Sequence, residues 1–237
     1  MTDRVLEVIR AGCVPYHEAL AWQRDLAQAR IERRLPHDVL LLLEHPPVIT
    51  LGRTAHAEYV VRPAGVPVVE VERGGDVTYH GPGQLVGYPI IDLTGHRQDL
   101  HWYLRTLEDA LIRALAKLEL PAERDPAYTG VWTRGGGRKI ASIGVHVKQW
   151  VTWHGFALNV TTDLSYFDLI VPCGIHGVEM TSVERETGNG KRETGLWEAT
   201  TAAVIRGFEE AFGVRTEYVE RERLEETSRE SVQYISP

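Results

Sequence analysis

Cysteine is scarce in this 237-residue chain, which contains only Cys13 and Cys173. Two widely separated cysteines do not form the disulfide framework of small secreted proteins. The first seven residues, MTDRVLE, include two acids and no long apolar core, so we expect no secretory signal. Together these absences favour a reducing, cytoplasmic setting in which both thiols stay free.

Long apolar runs and excess positive charge are also missing. No stretch approaches the ~18–20 apolar residues that a membrane-spanning helix needs, and the net charge is -7 at pH 7. General nucleic-acid binders present a basic face to the phosphate backbone. We therefore expect neither a membrane nor a nucleic acid as partner.

Ten histidines occur, but no pair has the spacing of a zinc motif, so no metal site is expected.

The hydrophobic content of 43% and charged content of 25% are ordinary for a globular protein. The length suits a single domain covering residues 1–237. Apolar periodicity predicts helices over residues 16–34, 99–120 and 197–212, followed by a charged helix at the C-terminus. Strands are predicted over residues 5–9, 39–43, 48–51, 66–72, 86–93, 130–133, 139–148, 151–160 and 216–219.

Strands outnumber helices in this pattern, and several neighbouring strands have the spacing of hairpins. Gln149 and Trp150 separate two alternating strands, which is a hairpin signal. The pattern favours an α+β fold with a mixed, mostly antiparallel sheet flanked by helices. Residues 187–192, TGNGKR, are expected to form a surface loop.

Cys173 is the candidate nucleophile. It lies in the segment LIVPCGIHG at residues 169–177, where Pro172 stiffens the chain and Gly174 leaves an open approach to the sulfur. An ordinary thiol is only a few per cent thiolate at neutral pH, so a reactive cysteine needs an activating neighbour. Cys13 has no polar company in AGCVP and is interpreted as structural.

Lys139 is the attractive partner for that thiol. It stands in GGGRKIASIG at residues 135–144, where small residues leave room beside it. An ammonium group there would stabilise a thiolate. His80, His154 and His176 are alternatives, because Cys-His pairs also activate nucleophiles. Spacing alone does not choose among the four.

A second unusual segment, RGGDVTYHGPGQ at residues 73–84, combines four glycines with several polar side chains. Glycine permits close backbone approach and positive φ angles. The spacing fits neither a phosphate-binding P-loop nor a dinucleotide fingerprint. We interpret the segment as a ligand-facing loop rather than a simple turn.

These segments resemble the signature of the octanoyltransferases of lipoate biosynthesis, the lipoate-protein ligase B family. RGGDVTYHGPGQ resembles the main motif, and KIASIG, HGFALNV and PCGI, which begin at residues 139, 154 and 172, are similar to three others. The match runs in order from about residue 43 to residue 182. The resemblance implies the fold of biotin/lipoate ligase catalytic domains.

The resemblance also implies a reaction. An octanoyl group would move from octanoyl-acyl carrier protein to a lysine on lipoyl domains, either of 2-oxoacid dehydrogenase subunits or of glycine cleavage H protein. Cys173 would be the acyl-thioester nucleophile and Lys139 its dyad partner, with no cofactor or metal. The acyl-substrate site would be formed by Arg73, Gly74, Gly75, Asp76, Val77, Thr78, Tyr79, His80, Ser142, Ile143, Gly144, Gly155, Phe156 and Ala157.

Two other functions stay open at this point. One is an ATP-dependent lipoate or biotin-protein ligase, with GGGRK at residues 135–139 as a nucleotide loop. Such a ligase does not need a nucleophilic cysteine. The other is a non-catalytic lipoyl-domain binder, against which the presence of both Cys173 and Lys139 argues. Because carrier proteins are acidic as a family, we also expect a basic docking rim drawn from Arg53, Arg62, Arg134, Arg138 and Lys148.

Overall fold

The computed structural model describes residues 4–188, 195–222 and 224. In these ranges the α-helices are α1 (Tyr16–Ile31), α2 (Leu100–Lys117), α3 (Val183–Thr187) and α4 (Leu196–Phe212). The strands are β1 (Val5–Cys13), β2 (Asp38–Glu44), β3 (Val48–Leu51), β4 (Val68–Glu70), β5 (Val77–His80), β6 (Gln84–Ile90), β7 (Ala122–Glu123), β8 (Val131–Thr133), β9 (Lys139–Lys148), β10 (Val151–Asn159) and β11 (Arg215–Tyr218).

A large mixed sheet organises the described residues in the order β11-β1-β2-β6-β10-β9-β8-β7. The pairs of β1 with β11 and with β2 are parallel. The remaining neighbours, from β2 across to β7, are antiparallel. This sheet and its flanking helices confirm the predicted α+β class.

Helices cover both faces of the large sheet. Helices α2 and α4 pack together on one face, over a core that includes Leu107, Leu111 and Phe208. Helix α1 covers the other face, where Trp22 and Leu26 join alternating residues of β2 and β6. Because β2 is buried on both faces, its sequence is the continuous apolar run expected of a central strand.

A small three-stranded sheet, ordered β4-β3-β5, lies beside the large one. Its apolar side chains pack against the segment that precedes Cys173, through Ile49, Val77, Phe167 and Ile170. The small sheet therefore positions the cysteine segment against β9 and β10.

The predicted hairpin at Gln149 and Trp150 is confirmed. Strands β9 and β10 pair from Lys148 with Val151 onward. Gln149 and Trp150 have φ angles of 49° and 65°, as a two-residue type I′ turn requires. The predicted start of the second helix is also confirmed, since the Asp99 side chain caps α2 by accepting a hydrogen bond from the amide of Trp102.

Several predicted boundaries were wrong. Helix α1 ends at Ile31 rather than at residue 34, because Arg33 has a φ of 60° that interrupts the helical conformation. The segment at residues 73–84 contains strand β5, although it was predicted as loop throughout. Residues 189–192 of the predicted loop, and the C-terminal helix beyond residue 224, lie outside the described residues. No helix in the described ranges is long and apolar enough to cross a membrane.

Candidate active site

A cavity of about 210 Å³ opens where the small sheet meets β9 and β10 of the large sheet. Cys173 and Lys139 both line it, together with residues from the segment at 73–84. The motifs that the sequence places far apart therefore converge on one space. The full lining is Tyr16, Arg73, Gly75, Asp76, Thr78, His80, Tyr88, Ala127, Tyr128, Thr129, Lys139, Ser142, Ile143, Gly144, His154, Gly155, Phe156, Ala157, Cys173 and Ile175.

Cys173 occupies a strained turn. Its φ of 56° and ψ of 20° lie in the left-handed region, which a residue with a Cβ seldom adopts. The turn is held by hydrogen bonds from the Gly174 amide to the Val171 carbonyl (3.1 Å) and from the Ile175 amide to the Pro172 carbonyl (3.0 Å). Those two amides are thus already engaged and are not free donors for an oxyanion. Such strain is concentrated at functional sites, where the surrounding structure enforces it.

Gly174 allows the turn to pack tightly. Its own φ is 67°, and a Cβ at this position would lie 2.6 Å from Oδ2 of Asp76. Oδ1 of Asp76 accepts a hydrogen bond from the Val77 amide at 2.8 Å. The Asp76 carboxylate therefore stands directly behind the cysteine turn and leaves no room for a larger residue than glycine.

Lys139 is the partner that the structure brings to Cys173. Its Nζ lies 3.1 Å from Cys173 Sγ, and Ser142 Oγ lies 3.9 Å from the same sulfur. The lysine side chain is only 1% exposed. Its backbone is fixed on the side opposite β8, because the Lys139 amide donates to the Glu179 carbonyl and the Thr181 amide donates to the Lys139 carbonyl. The ammonium group therefore reaches the sulfur from the first residue of β9, whose backbone is held in place by these hydrogen bonds.

The histidine alternatives do not reach the sulfur. In the part of the chain that the structure describes, no histidine nitrogen hydrogen-bonds to Sγ. His80 is buried and its Nδ1 pairs with Oε1 of Gln84 at 2.8 Å, while burial lowers its pKa well below the ordinary value. His154 is buried with Nε2 3.7 Å from Glu72, and burial lowers its pKa too. His176 is exposed and packs against the ring of Tyr59.

Arg73 places a second buried cation beside the cavity. Its Nη2 donates to both the carbonyl and the hydroxyl oxygen of Thr50 at 2.8 Å. Burial lowers the pKa of Arg73, an effect opposed by Tyr16 and by Cys173. Neither Arg73 nor Lys139 forms a salt bridge with a carboxylate in the described ranges. The cavity therefore favours negative charge at the sulfur and at a developing oxyanion.

The alternation of β5 sorts the predicted substrate residues into two groups. Thr78 and His80 line the cavity, whereas Val77 and Tyr79 point into the apolar core of the small sheet. Successive side chains of a strand point to opposite faces, so this division follows from the period of two. Gly74 also does not line the cavity, and its amide is engaged by the carbonyl of Val145.

The other predicted substrate residues face one another across two strands. In the register of β9 and β10, Gly144 pairs with Gly155, Ile143 with Phe156, and Ser142 with Ala157. All six line the cavity. A Cβ on Gly144 would lie 2.8 Å from the Gly74 carbonyl oxygen, so this glycine lets the segment at 73–84 approach the sheet. The small residues Ser142, Gly144, Gly155 and Ala157 add little side-chain bulk to this wall. The Phe156 ring instead packs against Phe208 in the core under α2 and α4.

Some lining residues were not predicted from sequence. Tyr16 stacks on His80 with ring centroids 5.9 Å apart, and burial raises the pKa of Tyr16 to about 12. Tyr88, Ile175 and residues 127–129 complete the wall. Tyr16 sits at the start of a helix and Tyr88 within a buried strand, where either residue type is ordinary. Neither position carries a local pattern that distinguishes a cavity residue from a core residue.

Cys13 lies outside this cavity and is exposed. Partial burial, together with nearby Glu44, raises the pKa of its thiol, which disfavours the thiolate. Within the described ranges, no cluster of three or more histidine, cysteine, aspartate or glutamate side chains has the geometry of a metal site.

Comparison with known proteins identifies the family of this chain. Residues 15–213 match the lipoyl protein ligase A/B catalytic domain family. An octanoyltransferase of Gloeobacter violaceus is 60% identical over 169 residues, covering 71% of this chain and 75% of the relative. An octanoyltransferase of Nostoc sp. is 47% identical over 207 residues, covering 86% and 90%. The chain therefore belongs to the octanoyltransferases, acyltransferase enzymes built on the lipoyl protein ligase A/B catalytic domain.

The fold is also shared with solved structures. A bi-partite lipoate protein ligase from Thermoplasma acidophilum superposes with a TM-score of 0.71 at 19% identity. The match covers 98% of this chain and 92% of that one. At this identity the likeness shows the fold alone. It confirms the predicted relation to ligase catalytic domains.

Proposed function

We propose that this enzyme transfers an octanoyl group from octanoyl-acyl carrier protein to a lysine of a lipoyl domain through a thioester on Cys173. The observation that carries the proposal is the 3.1 Å contact between Lys139 Nζ and Cys173 Sγ at a cavity wall. An ammonium at this distance stabilises a thiolate, and the thiolate is the nucleophilic form of cysteine. Both dyad atoms face the space where an acyl chain fits.

The first half of the reaction acylates the enzyme. The Cys173 thiolate attacks the carbonyl carbon of the donor thioester and forms a tetrahedral oxyanion. Collapse of that intermediate breaks the bond to the donor sulfur, which leaves as the carrier thiol after taking a proton from the Lys139 ammonium. Buried Arg73 and Lys139 provide positive potential while the oxyanion exists. The acyl chain would lie along the part of the wall that contains Ser142, Gly144 and Ala157.

The second half transfers the acyl group to the acceptor. The neutral amine of Lys139 takes a proton from the incoming acceptor lysine as its nitrogen attacks the Cys173 thioester. The new amide forms as the carbon–sulfur bond breaks, and Cys173 returns to a thiolate beside the Lys139 ammonium. A thioester is more reactive than the amide product, so no nucleotide is required. The acceptors would be lipoyl domains of 2-oxoacid dehydrogenase subunits and glycine cleavage H protein.

The ligase alternative finds no support in the position of its candidate nucleotide loop. Residues 135–137 form the turn between β8 and β9 and do not line the cavity. Arg138 is engaged with Glu186 through both Nε and Nη2. A non-catalytic binder would have no need of a buried lysine held against a strained cysteine. The acyl-transfer proposal accounts for both features.

The test is a transfer assay with a purified lipoyl domain as acceptor. With octanoyl-carrier protein as donor, octanoylated lipoyl domain should form without nucleotide. Cys13→Ala should behave like the wild type, whereas Cys173→Ala and Lys139→Ala should lose transfer. If free octanoate with ATP and Mg²⁺ served as donor while the thioester was ignored, the ligase alternative would replace the proposal.

A further inference from the structure

We infer that Trp132 is a positioning residue that keeps Lys139 charged and directed at Cys173. The inference rests on the proposed Cys173–Lys139 dyad and extends it to a third residue. Trp132 does not line the cavity, so it acts through Lys139 rather than on substrate. Its indole ring is 4.9 Å, centroid to Nζ, from the Lys139 ammonium.

The strand register brings the two side chains together. Trp132 on β8 is directly opposite Lys139 on β9, next to an irregularity in the pairing of the two strands. Directly opposed residues on antiparallel strands project from the same face of the sheet, with Cβ atoms about 4.5–5.5 Å apart. Trp132 is itself 6% exposed. The ring is therefore a fixed wall along the lysine side chain.

Gly130 also lies against the Lys139 side chain. A Cβ at Gly130 would lie 2.9 Å from Cε of Lys139 and 3.3 Å from the Trp132 ring. The Gly130 amide donates to Oε1 of Glu108 at 3.1 Å. The Glu108 side chain is fully buried and is held by Arg105 and Arg124. Helix α2 thus fixes the backbone that confines the lysine.

Lys139 is buried, with only 1% of its surface exposed. Burial disfavours an ammonium group unless other groups stabilise it, and Lys139 forms no salt bridge with a carboxylate in the described ranges. Its Nζ donates to Cys173 Sγ and lies over the Trp132 ring. The ring stabilises the ammonium in the resting enzyme, before Lys139 gives its proton to the leaving thiol. Cation–π attraction is strongest for tryptophan and strengthens on desolvation.

The test measures iodoacetamide alkylation of Cys173 against pH, with Cys13→Ala as the background. Lys139→Ala should move the profile to higher pH, which checks the dyad itself. Trp132→Leu should also move the pH profile of alkylation to higher pH. The alkylation rate near pH 7 should fall by up to about thirtyfold, which is equivalent to about 2 kcal/mol at 1.36 kcal/mol per tenfold. Trp132→Phe, which keeps an aromatic face, should recover part of the rate.

Two controls separate this role from simple packing. Trp22→Leu removes a tryptophan that is 8% exposed and also faces a cation, Arg221, at 4.9 Å. It should lower the melting temperature without moving the alkylation profile. Adding Trp132→Leu to Lys139→Ala should cause no further movement of the profile.

Three results would contradict the inference, one of them together with the dyad. An unchanged profile in Lys139→Ala would reject the dyad and the inference with it. A profile that moves in Lys139→Ala but not in Trp132→Leu would reject the role of Trp132 alone, as would failure of Trp132→Phe to recover any rate.

Discussion

The strain at Cys173 predicts an unusual order of stability between two inactive variants. Cys173→Ala and Cys173→Gly both remove the thiol and both leave Lys139 without its sulfur partner. They differ in the Cβ, which is unfavourable at a φ of 56°. A left-handed conformation costs a residue with a Cβ about 1–2 kcal/mol. Glycine avoids that cost but loses about 0.4–1 kcal/mol through the entropy of the unfolded chain.

At the midpoints of these two ranges, Cys173→Gly is more stable than Cys173→Ala by about 0.8 kcal/mol. For a chain of this size, about 1 kcal/mol changes the melting temperature by about 2–4 °C. Scanning calorimetry of both variants without acyl donor should therefore place Cys173→Gly about 1–4 °C above Cys173→Ala.

Cys13 supplies the matched control, because it is exposed at the end of β1 and does not have a positive φ. At position 13 we expect the opposite order, with Cys13→Gly melting below Cys13→Ala, since glycine within a strand is less stable than alanine by about 0.5–1 kcal/mol. If Cys173→Gly melted at or below Cys173→Ala while the Cys13 pair showed the ordinary order, the argument from backbone strain would be refuted.

Two further predictions concern the surroundings of the site. Gly130→Ala should lower the melting temperature and should also lower the single-turnover acylation rate of Cys173 by about tenfold or more. The φ of Gly130 is 139°, and an added Cβ would lie 2.7 Å from the Ala141 carbonyl oxygen and 2.9 Å from Cε of Lys139. An unchanged acylation rate of the folded variant would contradict this. Glu72→Gln should lower the melting temperature at pH 7, because the pKa of Glu72 is held below its ordinary value by the surrounding side chains of His154, Arg24 and Trp153. A carboxyl group whose pKa is lowered in the folded protein stabilises the fold at pH values above its unfolded pKa of about 4.3. That stabilisation is lost as the pH falls through the pKa of the folded protein. The difference in melting temperature between wild type and Glu72→Gln should therefore narrow below about pH 4, and a constant difference would count against the assignment.

The sequence singled out Cys173 and Lys139 as residue types but did not predict how they meet. Cys173 and Lys139 were recognisable as residue types in suggestive settings, but their contact depends on a turn and a strand separated by the β9–β10 hairpin. No local spacing distinguishes Lys139 from His80 as the partner. Only the packing of the small sheet against β9 decides that the lysine reaches the sulfur.

Other features were partly accessible from the sequence. The alternation of Val77, Thr78, Tyr79 and His80 has the period of a strand, which distinguishes the cavity residues from the core residues of β5. The glycines on both sides of these four residues obscured that pattern. The left-handed turn at Cys173 was not predictable, because a cysteine carries no preference for positive φ and the strain is imposed by tertiary contacts.

The residues expected to form a basic docking rim lie on different elements of the fold. Arg138 is paired with Glu186, and Lys148 ends β9 at the hairpin turn. Arg62 lies near the cysteine segment, since its amide donates to the carbonyl of Leu169. Charge spacing along a sequence does not report position on a folded surface, so the rim stays a prediction.

In the proposed mechanism, Cys173 carries the acyl group between donor and acceptor. This role can be tested by intact mass spectrometry of the protein mixed with octanoyl-carrier protein, without nucleotide or acceptor. We expect one octanoyl adduct that hydroxylamine removes, that persists in Cys13→Ala and that is absent in Cys173→Ala. An adduct that survives in Cys173→Ala, or transfer to a lipoyl domain by that variant at the wild-type rate, would contradict it.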